Sequence, residues 1–233
     1  MRLSVIIPVY NEEPTVRQIL ERALAVPVDK EVIVVDDCST DGTHTILQEF
    51  ETDGAIRLIR HEQNAGKGSA IRTGIKYVTG DVVIIQDADL EYDPADYAAV
   101  IRPIVEGRAE VSYGSRVLER SNNYSHLSFY IGGRFLSMLT NVLYGANITD
   151  EPTCYKAFRA DLLKSIPLEC TRFEFCPEVT AKVLRSGREI VEVPIHYNPR
   201  KKSEGKKIGW ADGLEAIWVL LKYRFTRNVM NHQ

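Results

Sequence analysis

Val82-Val83-Ile84-Ile85-Gln86-Asp87-Ala88-Asp89 decides the architecture: a run of β-branched residues with no polar alternation leads straight into two carboxylates spaced i and i+2. A strand that lacks a polar face is covered on both sides, as in a parallel sheet sandwiched by helices. The pattern recurs at Glu31–Val35, which ends in Asp36-Asp37, and at Leu3–Val9, which ends in Tyr10-Asn11-Glu12-Glu13. Shorter runs lie at Ile56–Ile59 and Glu110–Tyr113. Between them, apolar spacing predicts helices over Pro14–Ala25, Asp41–Phe50, Gly68–Val78 and Pro94–Val105. Ser39-Thr40-Asp41 and Asp93-Pro94 supply helix-start chemistry. Strand and helix therefore alternate, and residues 1 to about 116 read as a doubly wound α/β unit with ligands at the carboxyl ends of its strands.

Beyond Arg116 the pattern changes. A helix is expected over His126–Tyr144, a short strand over Cys154–Phe158, a helix over Glu178–Arg185 and a strand over Glu189–Tyr197. A basic loop, Arg200–Lys207, then leads to a final helix at Trp210–Phe225. With no internal repeat and no long linker, the second half is expected to pack onto the first.

Composition narrows the chemistry. The 233 residues carry 44% hydrophobic and 26% charged side chains, the balance of a folded globular chain rather than a disordered or fibrous one. A net charge of −3 gives no global field for nucleic acid, so an anionic ligand must be met by local cations. Cys38, Cys154, Cys170 and Cys176 form no C-x-x-C pair and the apolar start reads as a strand rather than a leader, which suggests a reduced cytoplasmic setting. The apolar stretch Ala216–Leu221 falls far short of the roughly 20 residues of a spanning helix.

On an extended chain residues two apart share a side, so Asp87 and Asp89 can face a common hard cation, Mg²⁺ or Mn²⁺; alternatively Asp89 or Asp93 caps the next helix and Asp87 is solvated. Asp36-Asp37 can accept from a nucleobase or serve a turn. Phosphate-loop readings fail: the first strand–helix turn lacks G-x-G-x-x-G, and Gly66-Lys67-Gly68 lacks the Walker spacing. Lys67 can still approach an anion at a helix start, or be an ordinary turn lysine.

Ile6-Ile7-Pro8-Val9-Tyr10-Asn11-Glu12, Val34 to Thr43, Asn64-Ala65-Gly66-Lys67-Gly68-Ser69-Ala70 and Asp87-Ala88-Asp89 resemble, in order and spacing, the family 2 inverting glycosyltransferases of GT-A fold. Gly114-Ser115-Arg116, Asp150 to Arg159 and Phe173-Glu174-Phe175 are similar to the branch that glycosylates dolichyl or polyprenyl phosphate. The resemblance implies a Rossmann-like, mostly parallel sheet sandwiched by helices. It divides the chain into a glycosyltransferase domain over 1–210, with a nucleotide-sugar half (1–116) and an acceptor half (117–210), and a C-terminal amphipathic helix over 211–233. It implies that Pro8, Tyr10, Glu12 and Asp37 hold the nucleoside, that Lys67, Asp87, Ala88 and Arg200 serve the nucleotide sugar, and that Asp87, Asp89 and Glu91 bind Mg²⁺ or Mn²⁺. Relatives often carry Gln where this chain has Glu91. Asp89, Arg116 and Arg134 would carry catalysis, the arginines and Arg200 contacting the acceptor phosphate and donor diphosphate.

A phosphate monoester is already largely ionised near neutral pH, so such a reaction needs no strong base, whereas a saccharide hydroxyl would need one, for which Glu174 or Glu178 are candidates. GDP-mannose and UDP-glucose are both compatible donors. A lipid acceptor requires the membrane surface, at the cytosolic face. Lys201, Lys202, Lys206 and Lys207 with Trp210, Ile217, Trp218, Leu221, Tyr223 and Phe225 offer peripheral attachment, and a separate anchoring subunit is the other route. A receiver-type signalling module would leave Asp87-Ala88-Asp89 and the whole second half without a role.

Overall fold

The computed structural model describes residues 1–122, 126–200 and 209–226. Strands β1 (Leu3–Val9), β2 (Lys30–Asp36), β3 (Arg57–Arg60), β4 (Val82–Ile85), β5 (Val111–Ser115), β6 (Lys156–Arg159) and β7 (Ile190–Pro194) form one seven-stranded sheet. Its order is β3-β2-β1-β4-β6-β5-β7. All neighbours are parallel except β6, which runs antiparallel to both β4 and β5. Helices α1 (Val16–Ala25), α2 (Thr43–Thr52), α3 (Lys67–Ile75), α4 (Tyr97–Val105), α5 (Leu127–Tyr144), α6 (Ala160–Ser165), α7 (Phe175–Arg185) and α8 (Trp210–Phe225) complete the described fold.

The uninterrupted apolar strands are covered on both faces, as expected. Alternate residues divide between two cores: Val5, Ile7, Val32, Val34, Val82 and Ile84 pack with Ile19, Leu20 and Val100. Ile6, Ile33, Val83 and Ile85 pack with Ile71, Val179 and Val183 on the other side. A third cluster ties α5, α7 and α8 together through Leu136, Ala181, Ala216, Val219, Leu220 and Tyr223.

Two local features aim the sheet's carboxyl edge. Pro8 lies within β1, a central strand, where a missing N–H would ordinarily break the ladder. Pairing of β1 with β4 ends at Ile6↔Ile85, while Val9 still accepts from Asp37 N at 2.8 Å on the β2 side. Pro8 therefore occupies the first position past the ladder on the β4 side, and the strand ends open.

The second feature is the start of α3. Gly66 has φ +91°, and a Cβ there would lie 2.4 Å from the Thr171 carbonyl oxygen. The backbone N–H groups of Gly68 and Ser69 donate to Arg172 O and Thr171 O at 2.9 and 3.1 Å. This glycine turn lets helix and loop touch backbone to backbone, which sets Lys67 at the sheet edge. Gly66→Ala is expected to destabilise the fold by roughly 2–3 kcal/mol, combining left-handed strain with the clash. A wild-type urea midpoint for that variant would remove the close approach from the account.

The expected elements appear with shifted ends. Cys154 and Tyr155 precede β6 rather than lying in it, and α6 was not anticipated: Ala160-Asp161-Leu162-Leu163-Lys164-Ser165 is too short for periodicity to declare itself. Asp93 caps the turn before α4 by accepting from Ala95 N at 3.0 Å. No side chain caps α2 at Gly42, although Asp41 accepts from Thr43 N one position earlier.

Candidate active site

Because β1, β2, β4, β5 and β7 run one way and β6 the other, the carboxyl ends of the first five and the amino end of β6 share one edge. That edge collects Tyr10 and Glu12, Asp36 and Asp37, Asp87 to Glu91, Arg116, Cys154, and Tyr197 to Arg200 from the ends of separate strands.

At the acidic tip after β4, Asp87 is buried and Asp89 half-buried, and each already faces a cation of the chain itself. Lys67 Nζ lies 2.5 Å from Asp87 Oδ1 and donates to Cys154 Sγ at 3.1 Å. Burial alone would lower the Lys67 pKa, but Asp87, with the neighbouring Cys154 and Cys176, holds it well above its ordinary value. Lys67 is thus a half-buried counter-ion of Asp87 rather than a solvated turn lysine. Asp89 accepts from Glu91 N at 3.1 Å through Oδ1 and from Arg200 Nη2 at 2.9 Å through Oδ2. Burial, then the charges of Asp87 and Glu91, push its carboxyl up to about 6 against the pull of Arg200. Ala88, between the two acids, is buried and its carbonyl accepts from Thr15 Oγ1 at 2.8 Å.

Glu91 is held by donors of its own. Its carboxylate accepts from Tyr197 OH and from the backbone N–H of Arg200, both at 2.9 Å. Among the described residues, no three Asp, Glu, His or Cys side chains converge as a complete metal cage. A cage is not required for Mg²⁺ or Mn²⁺, which suit one or two hard carboxylates plus substrate phosphates and water. Asp87 and Asp89, crowded oxygen donors at the open strand end, fit that mode of binding.

Arg200 closes the network. It donates to Glu12 through Nη1 and Nη2 at 3.0 and 3.2 Å as well as to Asp89. Glu12 is buried beside Thr15 Oγ1 at 3.1 Å, so its carboxylate faces the same cation as Asp89.

The expected acceptor arginines converge on one segment. Arg116 grips Asp150 through Nε and Nη2 at 2.8 and 2.7 Å, and its backbone N–H donates to the same carboxylate at 2.8 Å. Its guanidinium lies 5.0 Å from the centroid of the Tyr197 ring. Arg134, exposed on α5, donates to Thr149 O at 2.8 Å. Asp150 is held well ionised: burial opposes its charge, and Arg116 overcomes it.

Asp37, expected at the nucleoside, is held by its own loop. It accepts from His61 Nδ1 and Ala65 N through one oxygen and from Gly66 N through the other, at 2.7, 2.9 and 2.7 Å. Asp36 is fully buried, accepting from Ser39 N at 2.9 Å with His44 and Arg60 beside its other oxygen. Pro8 is buried, and Tyr10, partly exposed, stands just beyond it.

Three participants were not anticipated. Tyr197 joins Glu91 to the Arg116 face; Asn122 ties it in by accepting from Tyr197 N and donating to Arg116 O, at 2.8 and 2.9 Å. Asp150 is the counter-ion of Arg116. Tyr197 stands three residues before Arg200, and that spacing was the available signal. Glu174 and Glu178, the hydroxyl-activating candidates, are spent elsewhere. Glu174 accepts from the backbone of Thr171 and Arg172, while buried Glu178 pairs with Lys182 and accepts from Glu169 N, Cys170 N and Tyr223 OH.

Residues 4–166 match the profile described as Glycosyl transferase family 2. The chain belongs to this family. Over 212 residues this family 2 glycosyltransferase is 33% identical to the UDP-N-acetylglucosamine–dolichyl-phosphate N-acetylglucosaminyltransferase of Methanococcus voltae, covering 83% of this chain and 84% of that one. It is 29% identical to the dolichol-phosphate mannosyltransferase of Pyrococcus furiosus, covering 96% of this chain but only 64% of the longer relative. The fold matches glucosyl-3-phosphoglycerate synthase from Mycobacterium tuberculosis, solved with Mn²⁺ and UDP-glucose, with a TM-score of 0.73 at 20% identity over 97% of this chain and 80% of that one. The GT-A architecture expected from the motifs is thereby established.

The helices beyond the sheet carry a further surface. On α5, Leu127, Ile131, Phe135, Met138 and Val142 form an exposed stripe; on α8, Trp210, Leu214, Trp218 and Phe225 form another. Tyr223, expected on the exposed face, is buried instead, bonded to Glu169 and Glu178 at 2.9 and 3.0 Å. Ile217 packs on the third core cluster. Lys201, Lys202, Lys206 and Lys207 lie outside the described residues. No described helix is long and apolar enough to cross a membrane.

Proposed function

We propose that this chain transfers a hexose, with inversion, from GDP-mannose or UDP-glucose to a polyprenyl or dolichyl phosphate at the cytosolic face of a membrane. The observation that carries the reading is the row of cations along one sheet edge: Lys67 and Arg200 on the acidic tip, then Arg116 and Arg134 on the Thr149–Asp150 segment. Bringing two phosphates together is opposed by Coulomb repulsion, and arginine forks are suited to offset it. The names of the M. voltae and P. furiosus relatives support the acceptor class.

In this reading the nucleoside lies against Pro8 and Tyr10, and Asp37 serves it by fixing the Ala65-Gly66 turn. Asp87 and Asp89 would hold Mg²⁺ or Mn²⁺, which supplies charge neutralisation for the departing diphosphate. Glu91 anchors Arg200 and Tyr197 instead of completing a ligand set. Arg116 and Arg134 orient the acceptor phosphate, whose ionised oxygen attacks the anomeric carbon from the face opposite the diphosphate. The rival acceptor, a saccharide hydroxyl, finds Glu174 and Glu178 already committed to backbone donors and Lys182. The exposed stripes on α5 and α8 support peripheral docking beside the lipid, directly or through an anchoring subunit.

The test is a transfer assay with labelled GDP-mannose and UDP-glucose, a short polyprenyl phosphate, and Mg²⁺, Mn²⁺ or excess chelator. Product is expected with the phosphate lipid and a divalent ion only. Equal turnover in chelator would remove the metal, and glycosylation of a free saccharide in place of the lipid would overturn the acceptor.

A further inference from the structure

We propose that Arg200 is a built-in counter-ion for which the divalent ion must exchange, so that metal and donor diphosphate bind this chain cooperatively. The inference rests on the reading that Asp89 receives a divalent ion. Both oxygens of Asp89 are engaged, Oδ1 by Glu91 N and Oδ2 by Arg200, so a cation seeking Oδ2 must first displace the guanidinium.

The guanidinium is placed for exchange rather than for permanence. Among the described residues its terminal nitrogens contact Glu12 and Asp89 alone, while its backbone N–H is fixed separately on Glu91. Side-chain departure therefore leaves the anchor of the residue intact. Its Nε is buried without a hydrogen-bond partner, a cost that a phosphate oxygen is shaped to remove, because the Nε–Nη fork matches a pair of anionic oxygens. Lys67, the other resident cation, differs: it sits in the first turn of α3, whose start is held backbone to backbone, and its Nζ also contacts Cys154.

Charge balance sets the order of events. A divalent ion arriving alone would sit beside Arg200 with no new anion to receive the arginine. A diphosphate arriving alone would meet Glu12 and Asp89 while Arg200 is still shared with both. Arriving together, the metal takes Asp89 and Arg200 transfers its fork to the diphosphate, so each lowers the cost of the other. Linkage then requires one coupling factor for both ligands.

The experiment measures Mn²⁺ binding by the electron paramagnetic resonance signal of the free ion, with and without saturating UDP or GDP and against protein-free nucleotide blanks. The wild type is expected to bind Mn²⁺ at least about 10-fold more tightly with nucleotide than without, about the usual size of such couplings. Arg200→Gln is expected to bind Mn²⁺ alone several-fold more tightly than the wild type and to lose most of the coupling. Arg200→Lys, which keeps a cation without the fork, should retain weak binding of Mn²⁺ alone. Circular dichroism checks that both variants are folded. Unchanged or weaker Mn²⁺ affinity of Arg200→Gln in the absence of nucleotide would overturn the exchange while leaving the metal site standing. Absence of Mn²⁺ binding to every form, nucleotide included, would overturn the metal reading and the exchange with it.

Discussion

Asp89→Ala is expected to lower sugar transfer by about 10²–10³-fold or more, the scale seen when charge stabilisation at a reacting group is removed. At pH 7 it should also raise resistance to unfolding. The two expectations come from one cause. Burial together with Asp87 and Glu91 pushes the Asp89 carboxyl up to about 6, so the folded chain disfavours its ionised form relative to the unfolded chain. A folded pKa above the unfolded value contributes stability at low pH that is lost as pH rises, here between about pH 4 and pH 6. Removing the acid removes that loss, on the order of 1–3 kcal/mol at neutral pH and close to nothing at pH 4. Arg200 keeps Glu12 as a partner in the variant, so no buried cation is stranded. Urea midpoints at pH 4 and pH 7 beside transfer rates give the check. A variant that retains a tenth of the wild-type rate, or that is less stable than wild type at pH 7, would falsify the assignment of Asp89 as an acid kept at a cost to the fold.

That cost explains why the acidic strand ends were legible in sequence while their partners were not. Val82 to Ile85 running into Asp87-Ala88-Asp89 declares a buried strand with charged groups at its tip, and the local pattern alone places both carboxylates at the sheet edge. The antiparallel insertion of β6 between β4 and β5 has no such signature. Lys156-Ala157-Phe158-Arg159 is a four-residue strand whose neighbours, β4 and β5, both lie far back along the chain and are chosen by packing. The sequence allows Lys67 to meet an anion, and the anion is Asp87 of the chain itself, because the Gly66 turn brings α3 against the Thr171 backbone. Asp37 shows the converse. Its position at the end of β2 was readable, but three donors from residues 61 to 66 occupy it, and that loop's path is a tertiary outcome. Tyr223 likewise follows the helical stripe toward solvent on paper and points into the α5–α7–α8 cluster in the fold.

Arg116→Ala is expected to cost about 3–5 kcal/mol of stability, because it leaves the buried Asp150 carboxylate without its main counter-ion. Two side-chain donors on Asp150, a stacked Tyr197 ring and the adjoining Thr149 carbonyl that Arg134 uses make this arginine part of the scaffold as well as of the cation row. A lost activity in that variant therefore reports on the fold before it reports on the acceptor. The double variant Arg116→Ala with Asp150→Ala separates the two: removing the stranded anion should restore most of the urea midpoint, while transfer stays low and KM for the polyprenyl phosphate stays high. Arg116→Lys keeps the charge, loses the fork, and should raise the acceptor KM more than the donor KM with a smaller loss of stability. A double variant as unstable as Arg116→Ala would mean that Asp150 is not what makes the arginine structural. A double variant with wild-type acceptor kinetics would mean that the arginine holds the Thr149–Asp150 segment and nothing beyond it, leaving the acceptor phosphate to Arg134.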